Sequence, residues 1–172
     1  MNASIENAWQ IHSAQMDWTG KVDAKAGFAV ALDSAAIATL VALSGQNMIF
    51  ANMGDTWAWL PYWASVVLFI VGGFLALWAV APSLRWRQMK AERQENFVFF
   101  GHAKGWQPEF LDAALRTDDV SLVLSRQIVA MAGIAWKKHL KVGWSLWLIG
   151  AGVLSLFIAA LISANSSGQP YP

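Results

Sequence analysis

The run YWASVVLFIVGGFLALWAV, residues 62–80, decides the fold class, because it is uncharged and nearly long enough to cross a bilayer. Two further apolar runs, residues 28–43 with their flanks and residues 142–163, have similar lengths, close to the roughly 20 residues that a crossing helix needs. Of the 172 residues, 56% are apolar and only 13% are charged, which is little charge for a soluble domain. We predict an all-α integral membrane protein with three transmembrane helices and a helical cytoplasmic module.

The basic residues predict which side of the membrane each segment faces. All twelve Lys and Arg lie either before the first apolar run, at Lys21 and Lys25, or between the second and third runs, from Arg85 to Lys141. Loops rich in Lys and Arg stay in the cytoplasm, so both basic segments should face the cytoplasm. The N-terminus is then cytoplasmic, and the first connection and the C-terminus lie outside.

These assignments divide one continuous domain into seven segments. A cytoplasmic amphipathic helix (1–27) leads into span one (28–48), which an outside loop (49–61) connects to span two (62–82). Cytoplasmic helices (83–141) then lead to span three (142–164) and an outside tail (165–172). Tryptophans cluster near the predicted ends of the spans, as interface anchors do. They are Trp57, Trp59 and Trp63 outside, and Trp86, Trp144 and Trp147 inside.

Helical spacing of apolar residues predicts that the first and last helices continue from the cytoplasm into the membrane. Residues 4–25 show this spacing directly before span one, and residues 120–135 show it before span three, with no Pro until the tail. Between the spans, Pro82 marks the end of span two and residues 108–115 form a short helix. Thr117, Asp118 and Asp119 supply an N-cap and first-turn acids for the last helix.

Span one carries one acidic residue and one surface of small residues. Gly27, Ala31 and Ala35 lie four residues apart, a spacing that lets helices approach closely. Asp33 lies roughly 12 Å along the helix from Lys25 and therefore inside the membrane. Because an ionised carboxylate is costly there, Asp33 should be protonated, paired or exposed to water. Asp33 is therefore either a functional group, as a pore-lining residue or protonatable switch, or a hydrogen-bonded packing residue.

The stretch RQENFVFFGH, residues 93–102, combines aromatic and hydrogen-bonding residues between two spans. It is too short to cross the membrane and too apolar for a solvated loop, so other elements should cover it. Amide, imidazole and ammonium groups among aromatic rings suit a planar, charged ligand, but the rings could equally plug the cytoplasmic helices. The candidate signal or hinge residues are Asp23, Lys25, Asn96, Phe99, Phe100, His102 and Lys104. For Asp23 and Lys25, ordinary headgroup contacts are the alternative.

Catalytic and metal-binding motifs are absent from the sequence. There is no phosphate-binding loop, no Rossmann glycine pattern and no GxSxG, and the chain has no Cys. The three His lie far apart without the spacing of metal ligands, and a net charge of +1 does not favour nucleic acid. We expect no enzymatic activity, no catalytic residue, no metal and no nucleic-acid partner.

Several sequence boxes resemble the transmembrane effector family of bacterial Pycsar antiphage defence. These boxes are Asp23-x-Lys25-Ala26, Pro82, Asn96-Phe97-x-Phe99-Phe100-Gly101-His102, Pro108-Glu109-Phe110-Leu111, Gln127-Ile128 and Ile134-Ala135-Trp136-Lys137. Their order covers nearly the whole chain. The resemblance implies a bacterial inner-membrane protein. In that family a cyclase makes a cyclic pyrimidine mononucleotide on infection, and the effector then impairs the membrane.

The resemblance implies two expectations about partners. We expect a homo-oligomer in the lipid bilayer, with no cofactor other than a cyclic mononucleotide as candidate ligand. Such effectors are often fused to a separate nucleotide-binding domain that this sequence lacks, so the signal should reach the helical cytoplasmic module directly or through a separate nucleotide-sensing protein. The alternative function is a non-lytic membrane scaffold or regulatory subunit that docks a cytoplasmic partner.

Overall fold

The structure is a computed structural model that describes residues 3–51, 57–81, 96–117 and 119–166. The described residues form helices α1 (Ala3–Leu43), α2 (Trp59–Val80), α3 (Phe100–Ala103), α4 (Pro108–Thr117) and α5 (Val120–Ser166), and no strand occurs among them. Helices α1, α2 and α5 are long and apolar enough to cross a membrane. The predicted all-α membrane protein with three spans is therefore confirmed.

The two long helices confirm that no break separates spans one and three from the helical segments beside them. Helix α1 joins residues 4–25 to the first apolar run, and α5 joins residues 120–135 to the third. Helix α2 begins before Pro61, which lies in its first turn, where the missing N–H removes no helical hydrogen bond. Pro82, the basic segment 85–95, Asp118 and the tail after residue 166 lie outside the described residues.

The chain divides into two compact units, and α1 and α5 each contribute residues to both. Unit 1 contains Met1–Val22 and Pro82–Lys138, and unit 2 contains Asp23–Ala81 and His139–Pro172. The apolar runs of all three long helices lie in unit 2. The stretch that ends in His102 lies in unit 1.

The core of unit 2 is shared by α1, α2 and α5. Phe69 of α2 and Ile149 of α5 are almost completely buried, and they pack in one cluster with Ala29 of α1. The other buried members are Leu40, Phe50, Ala76, Leu156 and Ala159. By contrast, many large apolar side chains on the outer faces are exposed, such as Phe28 at 67% and Trp147 at 78%. A helix that is apolar all round and buried on one face is typical of a membrane bundle.

Glycines allow α2 and α5 to approach closely in unit 2. A Cβ on Gly72 would lie 2.9 Å from Ile149 Cγ1, and a Cβ on Gly152 would lie 2.7 Å from Phe69 Cε1. Real Cβ atoms are not found at such distances, so both contacts require glycine. Gly72 and Gly73 of α2 therefore admit side chains from neighbouring helices, Ile149 at Gly72 and Asp33 at Gly73.

Hydroxyl groups supply hydrogen bonds between the helices of unit 2. The buried Ser145 Oγ donates to the Gly72 carbonyl oxygen at 2.7 Å, and Ser155 Oγ donates to the Pro61 carbonyl oxygen at 2.7 Å. Both bonds join α5 to α2. In hydrocarbon, an unpaired hydroxyl has no water to bond, so these contacts satisfy the donors and hold the two helices in register.

The connection after α1 folds back onto the bundle through one aromatic residue. Phe50 is buried in the unit 2 core, its N–H donates to the Leu43 carbonyl at 3.1 Å, and its ring lies 5.2 Å from that of Tyr62. Asn47 has φ 63°, the left-handed conformation that Asn tolerates in tight turns. The turn therefore brings Phe50 back against the helix end that it has just left.

Unit 1 has a small apolar core of its own. Phe97, Ala114 and Val123 are buried together, with Trp106 and Leu111 packed against them. The N-terminus of α5 is capped by Asp119, whose Oδ1 accepts from the N–H groups of Ser121 at 3.0 Å and Leu122 at 3.3 Å. Of the three residues from which the sequence predicted a cap and first-turn acids, Asp119 is thus the one that caps α5.

We predict that Gly152→Ala destabilises unit 2, whereas Gly150→Ala does not. The added methyl at residue 152 meets the buried Phe69 ring, and overpacking of this kind costs about 1–3 kcal/mol. A Cβ at Gly150, on the same helix, meets nothing within 4 Å. Thermal unfolding of both purified variants in one detergent should show a lower midpoint for Gly152→Ala alone. Equal midpoints would contradict the close contact.

Candidate functional site

Unit 1 buries five polar side chains, which we call the buried polar set. They come from α1, from the segment around α3 and from α5, and they are His12, Gln15, Asn96, His102 and Gln127. Each is less than a tenth exposed. Buried polar groups are normally hydrogen-bonded, so the partners of each side chain indicate what the set can still bind.

Asn96 connects the start of the aromatic segment to α5. Its Oδ1 accepts from the Val98 N–H at 3.1 Å, a local turn, and its Nδ2 donates to Gln127 Oε1 at 3.3 Å. The first bond closes a local turn, and the N-cap position of α3 is Phe99. The second joins residues 31 positions apart and ties the aromatic segment to the last helix. Asn96 therefore stabilises a local turn and links it to α5.

The aromatic residues of the segment lie in different environments. Phe97 is buried and its ring meets Trp106 edge-on, with centroids 6.1 Å apart. The Phe99 ring lies 4.5 Å from Phe100 and 5.4 Å from His102. Phe100 itself is 72% exposed. Phe97 thus plugs the unit 1 core, as one interpretation of the sequence held, while Phe100 leaves an aromatic face open to a ligand or partner.

Several atoms of the buried polar set have no hydrogen-bond partner among the described residues. They are both ring nitrogens of His102, Nδ1 of His12 and Oε1 of Gln15. A buried polar atom without a partner costs about 1–3 kcal/mol, so each is available to a bound molecule that supplies the matching donor or acceptor. An imidazole and an amide together offer both kinds of group.

The remaining candidates of the signal group lie elsewhere. Lys104 is exposed in unit 1, just after α3. Asp23 and Lys25 lie at the start of unit 2, two positions apart on α1, a spacing that does not place two side chains on one helix face. The structure thus places Asn96, Phe99, Phe100, His102 and Lys104 together in unit 1 and the Asp23 and Lys25 positions in unit 2.

The two predicted features of span one lie on different faces of α1. Gly27, Ala31 and Ala35 are exposed, so none of the described helices covers the small-residue face. Asp33 is 5% exposed, on the face that packs inside unit 2 with Ala29 and Leu40, and a Cβ on Gly73 would overlap its Oδ2. The first feature is free for another chain, and the second belongs to the bundle.

Sequence reasoning missed three members of the buried polar set. His12, Gln15 and Gln127 received no role in the site. The buried face of α1 in unit 1 contains Ala8, His12, Gln15 and Val22, while the large apolar Trp9 and Met16 are exposed beside it. The available signal was that His12 and Gln15 share one helix face with Ala8.

The comparisons with known proteins identify the family. A family model described as the Pycsar effector protein domain matches residues 7–165, which include all of α2, α3 and α4 and most of α1 and α5. No curated protein and no solved structure matches the chain significantly. The matched family is not a known family of enzymes. Because the match spans far more than half of a chain with three candidate membrane spans, the chain belongs to the Pycsar effector protein domain family of antiphage defence.

Proposed function

We propose that this chain impairs the integrity of the bacterial inner membrane when a nucleotide-signalling defence system is activated. The observation that carries the proposal is the family match over residues 7–165 together with three helices long enough to span a bilayer. In this scheme unit 1 receives the signal and unit 2 acts on the membrane. No catalytic step is required of either unit.

The packing of unit 2 supports a proposal in which several copies act together. Phe69, Ile149 and Leu156 fill the centre of the bundle, and glycine contacts bring the helices close. A single chain packed in this way offers no evident path for ions through the described helices. The exposed small-residue face of α1 suits self-association, because Gly27, Ala31 and Ala35 permit close approach of a second copy.

Two features support the proposed orientation, with the N-terminus in the cytoplasm and the C-terminus outside. Lys141 Nζ lies 4.1 Å from the centroid of the Trp78 ring, a cation–π contact near the end of α2 that precedes the basic segment. At the other end of α2, Trp57 and Trp59 are exposed, as interface anchors are. In the sequence, the connection between α1 and α2 carries no Lys or Arg, which fits a position outside.

The unpartnered atoms of the buried polar set support unit 1 as the receiver of the signal. His102, His12 and Gln15 offer buried nitrogen and oxygen atoms, and the exposed Phe100 ring and Lys104 ammonium lie on the same unit. Groups of these kinds bind the base edge, the base face and the phosphate of a nucleotide. The alternative route is a separate nucleotide-sensing protein that binds unit 1.

One observation favours the second candidate function, a non-lytic scaffold that docks a helix of another cytoplasmic protein. Leu122, Val129 and Trp136 lie seven residues apart on the part of α5 that belongs to unit 1, and all three are exposed. A seven-residue apolar repeat is the spacing with which helices pair. Under this alternative the chain leaves the membrane potential intact.

The two functions predict opposite outcomes in cells. Co-expression of the chain with a pyrimidine nucleotide cyclase should collapse the membrane potential, measured with a voltage-sensitive dye. The matched control is the same chain with a cyclase variant that makes no nucleotide. If the potential holds in both cultures while the chain is abundant in the membrane, the scaffold function is favoured.

We predict that Asn96 couples the signal to toxicity through its bond to Gln127. Asn96→Ala removes both bonds, whereas Asn96→Ser keeps an oxygen that can accept from the Val98 N–H but cannot reach Gln127. If Asn96 forms part of a hinge, both variants lose cyclase-dependent depolarisation at near-normal abundance. If Asn96 only stabilises the local turn through its bond to the Val98 N–H, Asn96→Ala should lower the amount of protein in the membrane. Asn96→Ser, which keeps this bond, should then show a normal amount of protein and normal activity.

We predict that Ala31→Leu with Ala35→Leu weakens self-association. The larger side chains hold a second α1 helix away from the small-residue face, and they meet no helix of the same chain, because both positions are exposed. Ala151→Leu, at an exposed position of α5, is the matched control. Cross-linking in native membranes should give fewer oligomers for the α1 variant only. An unchanged pattern would exclude this face.

A further inference from the structure

Asp33 lies in a notch that a single glycine creates. The carboxyl is 5% exposed in the middle of the membrane-spanning part of α1, facing α2. A Cβ on Gly73 would overlap Asp33 Oδ2 and lie 3.2 Å from its Cγ. A larger residue at this position would displace the carboxyl from its present place. We call this contact the Asp33–Gly73 notch.

The notch accommodates the volume of the carboxyl but does not compensate a charge. Oδ1 of Asp33 has no hydrogen-bond partner among the described residues. No other acidic or basic residue occurs in residues 27–43, 59–80 or 142–166, which form the membrane-spanning parts of the three helices. Tyr62 is the other titratable side chain there, and its hydroxyl is bonded to Ser44 Oγ at 2.9 Å. An ionised carboxylate in the notch would be uncompensated, at a large free-energy cost.

A charge on Asp33 therefore opposes the packed arrangement of α1 on α2. Any rearrangement that gives the carboxylate water or a cation relieves this cost, and the notch holds Asp33 by shape alone. Asp33 also lies on the opposite side of α1 from Gly27, Ala31 and Ala35, so a copy bound to the small-residue face does not cover it. The place that can open is the contact between α1 and α2.

We propose that Asp33 leaves the Asp33–Gly73 notch on activation and lines a hydrated path through the membrane that conducts cations in preference to anions. The inference rests on the proposed function, because it specifies what crosses the impaired membrane. In a symmetric assembly each copy contributes one Asp33 carboxylate, and a ring of carboxylates attracts cations and repels anions. The carboxyl is thus a packing group in the closed bundle and an ion-selecting group in the open assembly.

Three variants separate this role from simple packing. Asp33→Asn keeps the shape of the side chain but cannot carry a negative charge, so it should lose most of the cyclase-dependent depolarisation. Gly73→Ala places a methyl in the notch, so it should depolarise cells without any cyclase. Asp33→Ala in the Gly73→Ala background removes the overlap and should abolish that constitutive leak. Gly150→Ala, where a Cβ meets nothing within 4 Å, is the matched control and should behave as the unmodified chain.

Ion preference is measured on Gly73→Ala reconstituted in bilayers of phosphatidylethanolamine and phosphatidylglycerol. In a KCl gradient, the reversal potential should have the sign of a cation-conducting path, and it should move toward zero when Asp33→Asn is added. An anion-selective or unselective Gly73→Ala would overturn the proposal. So would an Asp33→Asn chain that depolarises cells as strongly as the unmodified chain does.

The outcomes also separate this inference from the proposed function. If the unmodified chain does not depolarise cells with an active cyclase, the proposed function itself fails. If it depolarises them but Asp33→Asn does so equally, only the role of Asp33 fails. Should Gly73→Ala not accumulate in the membrane, the comparison of Asp33→Asn with the unmodified chain still decides the question.

Discussion

Close approach of helices is the constraint on which unit 2 depends. Within a bilayer, moving an apolar side chain from lipid to protein gains little, so association depends on tight packing and on hydrogen bonds between helices. Gly72 and Gly152 bring helix backbones close to Ile149 and Phe69, and Ser145 adds a bond to the Gly72 carbonyl oxygen. The large apolar residues that dominate the sequence mostly face outward. The small and hydroxylated residues hold the bundle together.

The number and continuity of the membrane helices could be predicted from the sequence, but not the faces that they use. Apolar length and the absence of Pro are local properties, and they predicted α1 and α5 as unbroken helices. Span one, however, carries small residues on more than one face. The chain packs through Ala26 and Ala29, whereas the predicted stripe through Ala31 is exposed. Choosing between two such faces requires knowledge of the neighbouring helix, which no local pattern contains.

The same limit applies to unit 1. Asn96 was recognisable because it stands beside a dense aromatic segment, and its turn bond to Val98 is local. Gln127 was not, because it lies 31 positions from Asn96 in the sequence and meets it only in the folded chain. His12 and Gln15 have polar side chains that would ordinarily face solvent, and only tertiary packing buries them. A sequence pattern identifies polar residues that stand beside a distinctive segment of the chain. It does not identify those that become buried only through contacts with distant parts of the chain.

The continuity of α1 and α5 has a consequence for any exchange of modules. The chain passes between the two units at three points, and two of them, Val22–Asp23 and Lys138–His139, lie inside α1 and α5 without a loop. Adding one residue to an α-helix rotates everything beyond it by about 100°, whereas seven residues complete nearly two turns and restore the face. A foreign sensor domain could therefore replace unit 1 only if the new junctions in α1 and in α5 both keep the rotation of each helix about its axis. Insertions at these boundaries should be tolerated with a period of about seven residues, unlike insertions in a flexible linker.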